Sequence, residues 1–268
     1  MRPFLLPCLL VLCSALLPAR AQTDPISSAV LGAALGDRAG AVVVIDCRTG
    51  QVHESDPGAA AEKLPPCSTF KIWNTLIGLE SGIVKDPDAP FYQWDGETRF
   101  LPDWNKDLTL AEAFRVSCVP AFQQLARQLG KDRMQAGVDK IGYGDRDISA
   151  GIDVFWLPAK DRKTILITPR QQAELMAKLA TRKLPFSAKS MDTLKEIMRV
   201  KASGQGTLFG KTGSGADTAG KYNLGWFVGY VDGADGGHAF ACMLKGDGIS
   251  GKDARALVEK IFEAAGKL

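Results

Sequence analysis

Ser68 and Lys71 stand three positions apart in the stretch PPCSTFKIWNTLIGLESG, residues 65–82. On a helix, positions i and i+3 share a face, so the hydroxyl and the amine can point into one space. Phe70, Ile72, Trp73, Leu76 and Ile77 make the surroundings apolar. Burial there would lower the lysine pKa from about 10.4 by several units and leave a neutral amine able to act as a base. The chain has two histidines, His53 and His238, one in the polar half of a hairpin and one at a strand start. That is poor material for a Ser-His-Asp triad or a histidine-rich metal site, so a nucleophilic Ser68 would need Lys71 as its base. Taken alone, the pair equally fits a capping serine and a lysine whose stem lies along the helix and whose head reaches water.

Two further groups make the pair specific. Ser117-Cys118-Val119 follows Ser68 by 49 residues, and Lys211-Thr212-Gly213 ends an apolar run before a glycine-rich turn. Ser-x-x-Lys, Ser-x-x and Lys-Thr-Gly in this order resemble the penicillin-recognising serine enzymes. The spellings Ser-Thr-Phe-Lys and Ser-Cys-Val resemble class D β-lactamases, the oxacillinases. Phe155-Trp156-Leu157, Asp103-Trp104-Asn105-Lys106-Asp107 and Gly225-Trp226-Phe227-Val228-Gly229 are similar to stretches of that family, and the likeness covers roughly residues 28–266. One element departs from it: the family's Tyr-Gly-Asn is Tyr143-Gly144-Asp145 here, which replaces an amide donor by an acceptor.

The resemblance implies a serine β-lactamase that opens the lactam ring of penicillin-type antibiotics through an acyl-enzyme on Ser68 and so confers resistance. It implies that Lys71 is carboxylated by carbon dioxide or bicarbonate, is held by Trp156, and serves as general base. Ser117 would relay a proton to the lactam nitrogen, and the backbone N–H groups of Ser68 and Ser214 would stabilise the oxyanion. Lys211, Thr212, Gly213 and Arg255 would hold the substrate carboxylate, with Trp104 as an aromatic wall and Val119 and Leu157 shaping access. No metal and no further cofactor are implied. Three rivals stay open, a β-lactam sensor that remains acylated, a small peptidoglycan transpeptidase and, given Asp145, a catalytically weak family member. Substrate turnover separates the first from an enzyme.

The elements that must position these groups follow from periodicity. Residues 40–55 read as a hairpin with one buried face, and a helix is expected from Ser68 to Gly82. Residues 87–105 read as an ordered loop. Helical patterns follow in LTLAEAFRVS, PAFQQLARQLG and DRMQAGVDKIG, in the segment opened by Thr168 and Pro169, and over residues 187–200. From residue 203 the texture changes to three short apolar runs with Gly and Asp turns, closed by an amphipathic helix, KDARALVEKIFEAA. Strands at both ends with helices between predict an α+β fold, in which the first hairpin joins the late strands in one antiparallel sheet flanked by helices, with an inserted all-helical lobe.

Composition sets the wider bounds. At 46% hydrophobic residues, the 268-residue chain can build a sizeable core. Residues 1–21, with Arg2, an apolar run from Phe4 to Leu17 and the triplet Ala19-Arg20-Ala21, read as a secretory signal, leaving one domain over residues 22–268 and a periplasmic location. Removing them takes away two arginines and no acids, so 31 basic residues face 30 acidic ones, and nothing marks a nucleic-acid or membrane surface. The remaining partner is a small-molecule β-lactam, with the chain as monomer or homodimer. Four cysteines remain, Cys47, Cys67, Cys118 and Cys242. Because Cys67 and Cys118 adjoin serines that must meet in one site, a Cys67–Cys118 disulfide and a pair of small core residues are both open readings.

Overall fold

The computed structural model describes residues 25–234 and 236–268, so the expected signal at 1–21 lies outside the described residues. Its centre is a six-stranded antiparallel sheet built from both ends of the chain. In chain order the strands are β1 (Ala39–Asp46), β2 (Val52–Glu54), β5 (Arg199–Ala202), β6 (Gly206–Ala216), β7 (Tyr222–Gly233) and β8 (His238–Lys245). Their spatial order is β2-β1-β8-β7-β6-β5, so the first hairpin joins the late strands, as the sequence predicts. Val42 pairs with Cys242, and Val228 with Ala241 and Lys211, which fixes the register across the middle of the sheet.

β1 is buried on both faces rather than one. Ala41, Val43 and Ile45 enter the larger core, whereas Val42 and Val44 enter a smaller one. An unbroken apolar run is what two-sided burial demands. The smaller core lies under α1 (Ser28–Leu35) and α8 (Gly251–Ala264). The larger one lies under α3 (Lys71–Glu80), α4 (Leu110–Arg115), α5 (Val119–Ile141), α6 (Pro169–Ala180) and α7 (Ala188–Ile197). A short α2 (Pro57–Ala60) precedes α3, and a two-stranded ribbon of β3 (Pro90–Tyr92) and β4 (Leu108–Thr109) borders the helices.

Most helix boundaries obey their caps. Thr168 accepts from the Gln171 N–H with Pro169 in the first turn, and α5 is broken at Gly130, whose φ of 75° no helix tolerates. Three expectations change. The segment around Ser68 opens as a 3-10 turn over Cys67–Phe70, and the α-helix begins only at Lys71. Residues 199–200, expected to end a helix, instead open edge strand β5, where Gly210 donates its N–H to Met198 and extends the ladder. The loop at 87–105 contains β3 and a 3-10 turn at Pro102–Trp104.

Candidate active site

The 3-10 turn sets Ser68 on the surface of a cavity and Lys71 beneath it. Pro65 and Pro66 lead into Cys67, which is held at a φ of 53°, and this left-handed step turns the chain into the site. The Lys71 Nζ lies 2.8 Å from the Ser68 Oγ. Lys71 is 0% exposed, and burial pulls its pKa down to about 7. Aromatic rings cluster on the turn that precedes it. Phe70 stands edge-on to Phe155 (4.9 Å) and Tyr143 (5.1 Å) and stacks on Trp156 at 5.8 Å, while Phe122 lies 5.5 Å from the amine. Such surroundings solvate an ammonium poorly, which is the physical cause of the shift.

Ser117 arrives from the other side. It also has left-handed backbone, with φ 56°, in the sharp link between α4 and α5, and its Oγ accepts from the Lys211 Nζ at 3.1 Å. Lys211 is 4% exposed and additionally donates to the Thr212 carbonyl at 3.0 Å. Burial pushes its pKa down, and repulsion from Lys71 adds to this. Gly213 lets β6 reach the turn: a Cβ there would come within 3.0 Å of the Pro66 carbonyl and 3.1 Å of the Thr69 nitrogen. Gly251 and Gly225 do the same between α8 and the sheet, where a Cβ on Gly225 would meet the Ser250 carbonyl at 2.1 Å. The Ser214 hydroxyl accepts the Gly251 N–H at 3.0 Å and pins the helix to β6.

These elements enclose a cavity of about 630 Å³ lined by Ser68, Ser117, Val119, Leu157, Thr212, Gly213 and Ser214. Trp104 forms part of its wall, with its ring N–H donated to the Val116 carbonyl at 3.0 Å. Trp156 is 0% exposed, and its Nε1 is a buried donor with no partner among the described residues. Lys71 lies behind Ser68. Arg255 stands apart from the other expected residues. Its Nε donates to Glu259 at 2.8 Å, and it lines an adjoining cavity whose wall includes Lys211 and Thr212.

The Cys67–Cys118 disulfide does not form. All four described cysteines are free, and burial raises the thiol pKa of Cys67 to about 12 and that of Cys118 in the same direction. The Cys67 Sγ turns toward the Pro65 carbonyl at 3.6 Å and toward Gly215, leaving the thiol as packing between the turn and β6. Among the described residues no group of three or more His, Cys, Asp or Glu side chains is placed to hold a metal, and no helix is long and apolar enough to cross a membrane.

Tyr143 is fully buried, and Gly144 has φ 57° against the Leu166 carbonyl, which a Cβ would strike at 2.1 Å. The Asp145 Oδ1 accepts the Leu166 N–H at 3.1 Å, so this position uses an acceptor, and the change from an amide costs the loop nothing there. Sequence reasoning missed Phe114 and Phe122, the rings beside the two lysines, although both sit at helical spacing from Ser117 and Val119. It also missed Phe100, Leu101, Tyr222 and Lys252 on the cavity rim, where no spacing rule applies.

The comparisons with known proteins agree with this geometry. Residues 40–264 match the penicillin binding protein transpeptidase domain. The chain is 35% identical over 217 residues to the probable β-lactamase YbxI of Bacillus subtilis (strain 168), covering 81% of this chain and 78% of that one. It is 37% identical to β-lactamase OXA-10 of Pseudomonas aeruginosa, over 79% of each. The crystal structure of FUS-1 (OXA-85), a class D β-lactamase from Fusobacterium nucleatum subsp. polymorphum, superposes with a TM-score of 0.78 at 38% identity, covering 84% of this chain and 92% of that one. A buried lysine on a serine, a second serine on a second lysine, and this kinship lead to one conclusion: the chain belongs to the class D serine β-lactamases.

Proposed function

We propose that the protein hydrolyses penicillin-type β-lactams through an acyl-enzyme on Ser68, with Lys71 carboxylated as general base, and that it protects an exporting cell from these antibiotics in its periplasm. The observation that carries this reading is the fully buried Lys71 amine 2.8 Å from Ser68, with the Trp156 indole, whose N–H has no partner among the described residues, stacked on the adjoining Phe70. A neutral amine is the form that adds carbon dioxide, and burial supplies it near neutral pH. The donor-only Trp156 indole is suited to an oxyanion at the end of Lys71. Carboxylation would supply a base of ordinary strength in a pocket too apolar to keep an ammonium.

The remaining steps belong to the chain's own residues. The Ser68 Oγ bonds to the lactam carbonyl carbon as its proton leaves toward Lys71, and the carbonyl oxygen gathers charge toward the N–H groups of Ser68 and Ser214. When the carbon–nitrogen bond breaks, Ser117 passes a proton to the leaving nitrogen, helped by the Lys211 Nζ at 3.1 Å. Water then adds to the ester carbon as its proton passes to Lys71, the bond between that carbon and the Ser68 Oγ breaks, and the proton returns from Lys71 to Ser68. Lys211, Thr212 and Gly213 meet the substrate carboxylate, with Arg255 reaching the same strand from its own side, while Trp104, Val119 and Leu157 bound the acyl group.

The test is hydrolysis of a chromogenic cephalosporin by the mature chain, first stripped of carbon dioxide and then given bicarbonate. Rates should fall on stripping and return with bicarbonate. Equal rates in both conditions would rule out carboxylation of Lys71.

A further inference from the structure

The turn that carries Ser68 is strained and is held from behind. Cys67 keeps left-handed backbone at φ 53°, which a residue with a side chain holds only where its surroundings fix it. Three ties do so. The Trp226 Nε1 donates to the Pro65 carbonyl at 3.0 Å, and Leu64 exchanges backbone hydrogen bonds of 3.0 and 2.9 Å with Ile167. The third alone grips the residue between Ser68 and Lys71. The Gln172 Nε2, on α6, donates to the Thr69 Oγ1 at 2.9 Å, and that hydroxyl donates to the Pro66 carbonyl at 2.7 Å. Because Thr69 gives its one hydroxyl proton to Pro66, it must accept from Gln172, and this fixes which way the amide faces. Gln172 and Thr69 are both 0% exposed, a burial that a glutamine seldom reaches. The neighbouring Gln171 braces the other side: its Nε2 donates to the Gly142 carbonyl at 2.9 Å and its Oε1 accepts the Gly144 N–H at 3.2 Å. Tyr143, held between these two contacts, turns its hydroxyl toward Thr69 and Gln172.

We propose that Gln172 is a positioning residue: through Thr69 it holds the turn in the shape that keeps the Ser68 hydroxyl on the Lys71 amine and water off that amine. The 2.8 Å contact between Ser68 and Lys71 spans Thr69, so the backbone there sets it. With the tie cut, the turn relaxes toward ordinary backbone and water reaches the amine from below. Solvation favours the ammonium, so the Lys71 pKa rises from about 7 toward the ordinary lysine value. Gln171 extends the same brace to the segment at Tyr143, so the start of one helix steadies both. The kinetic consequences rest on the function proposed above, whereas the titration of Lys71 does not.

The experiment compares the mature wild-type chain with Gln172→Met, Thr69→Val and Thr69→Ser, each labelled with carbon-13 at the lysine Cε and titrated by NMR in buffer stripped of carbon dioxide. The Lys71 signal is identified by its loss in Lys71→Met. The titratable groups that face Lys71 are Lys211 of β6 and the Cys67 and Cys118 thiols. Lys211 is followed in the same spectra, and burial keeps both thiols protonated near pH 7. Gln172→Met and Thr69→Val should raise the Lys71 pKa by about one pH unit, while Thr69→Ser, which keeps the hydroxyl, should leave it within about 0.3 of wild type. In chromogenic cephalosporin hydrolysis the acid limb of kcat should move up by the same amount, with kcat about fivefold lower at pH 7 and KM within about twofold. Melting temperatures are measured alongside, because a residue that only packs lowers them without moving the titration. A Lys71 titration unchanged in Gln172→Met and Thr69→Val, whatever their melting temperatures, overturns the proposal, as does a shift in Thr69→Ser as large as that in Thr69→Val. If Gln172→Met does not fold, the two Thr69 variants decide alone. If the titration shifts as expected while the wild-type chain turns over no β-lactam, the positioning role stands and the hydrolytic reading falls.

Discussion

Lys71 and Lys211 are the same residue type, almost equally buried, in one site, yet their surroundings differ. Lys211 has oxygen acceptors in the Ser117 hydroxyl at 3.1 Å and the Thr212 carbonyl at 3.0 Å, with the Thr212 hydroxyl at 3.5 Å. Among the described residues Lys71 has one, the Ser68 hydroxyl, with the Phe122 ring 5.5 Å from its amine. Each ammonium repels the other, so the pair favours one charge rather than two. Burial lowers both pKa values, that of Lys71 to about 7 and that of Lys211 well below the ordinary lysine range, and among the described residues only Lys211 has more than one oxygen acceptor to oppose the shift.

The comparison can be broken most severely at Lys71. Lys71→Met removes the base and should reduce kcat/KM by roughly 10³-fold or more. The same change should raise stability. The folded-state pKa of about 7 lies below that of an unfolded lysine, so the unfolded chain binds the extra proton between these values. The lysine's destabilising effect is therefore full below pH 7 and fades as pH rises toward about 10. With carbon dioxide removed, the Met variant should melt several degrees higher at pH 6–7 and lose this advantage toward pH 10, checked by calorimetry across pH. Wild-type turnover should fall as pH drops through about 7, because the neutral amine is lost.

Trp156→Phe comes next. Without the indole N–H the variant should still acylate and then stall, with turnover lowered roughly 10²-fold and a persistent adduct on Ser68 seen by mass spectrometry. A Phe side chain preserves most of the ring packing against Phe70 and Phe155, so folding is not the readout. At Lys211 the effect should be smaller and of another kind. Lys211→Met should raise KM about tenfold to a hundredfold with a lesser loss in kcat, since a binding cation is removed, and Lys211→Arg should recover part of it. The smallest effect concerns the cysteines. The unfolded mature protein should titrate four thiols without reductant, and a reducing agent should leave the melting temperature unchanged within about 1 °C.

The clarity of the local signals explains what was legible in the sequence. Caps and glycine stops placed α6 and the break at Gly130, and apolar runs with turn residues placed β6, β7 and β8. The 3-10 turn at Ser68 was read as a helix start because its cause is distant: β6 presses on it through Gly213, 145 residues later. The first two residues of β5 were read as the end of a helix because pairing with β6 overrides local propensity. The disulfide expectation rested on adjacency in sequence, which says nothing of where two sulfur atoms point.

By itself, the order of residues determined which chemistry was available: a hydroxyl next to an amine at helical spacing, a second hydroxyl, a second amine on a strand, and no histidine suited to replace them. The tertiary structure alone decided how that chemistry was shared. It buried Lys71 behind a turn whose Phe70 packs on three further rings and beside Phe122 of α5, gave Lys211 its acceptors from two elements, and set Arg255 in a cavity with Arg115 and Arg199. The reason is physical. A side chain's type is fixed locally, but its charge depends on the dielectric and the dipoles within a few ångströms, which segments distant in the chain supply.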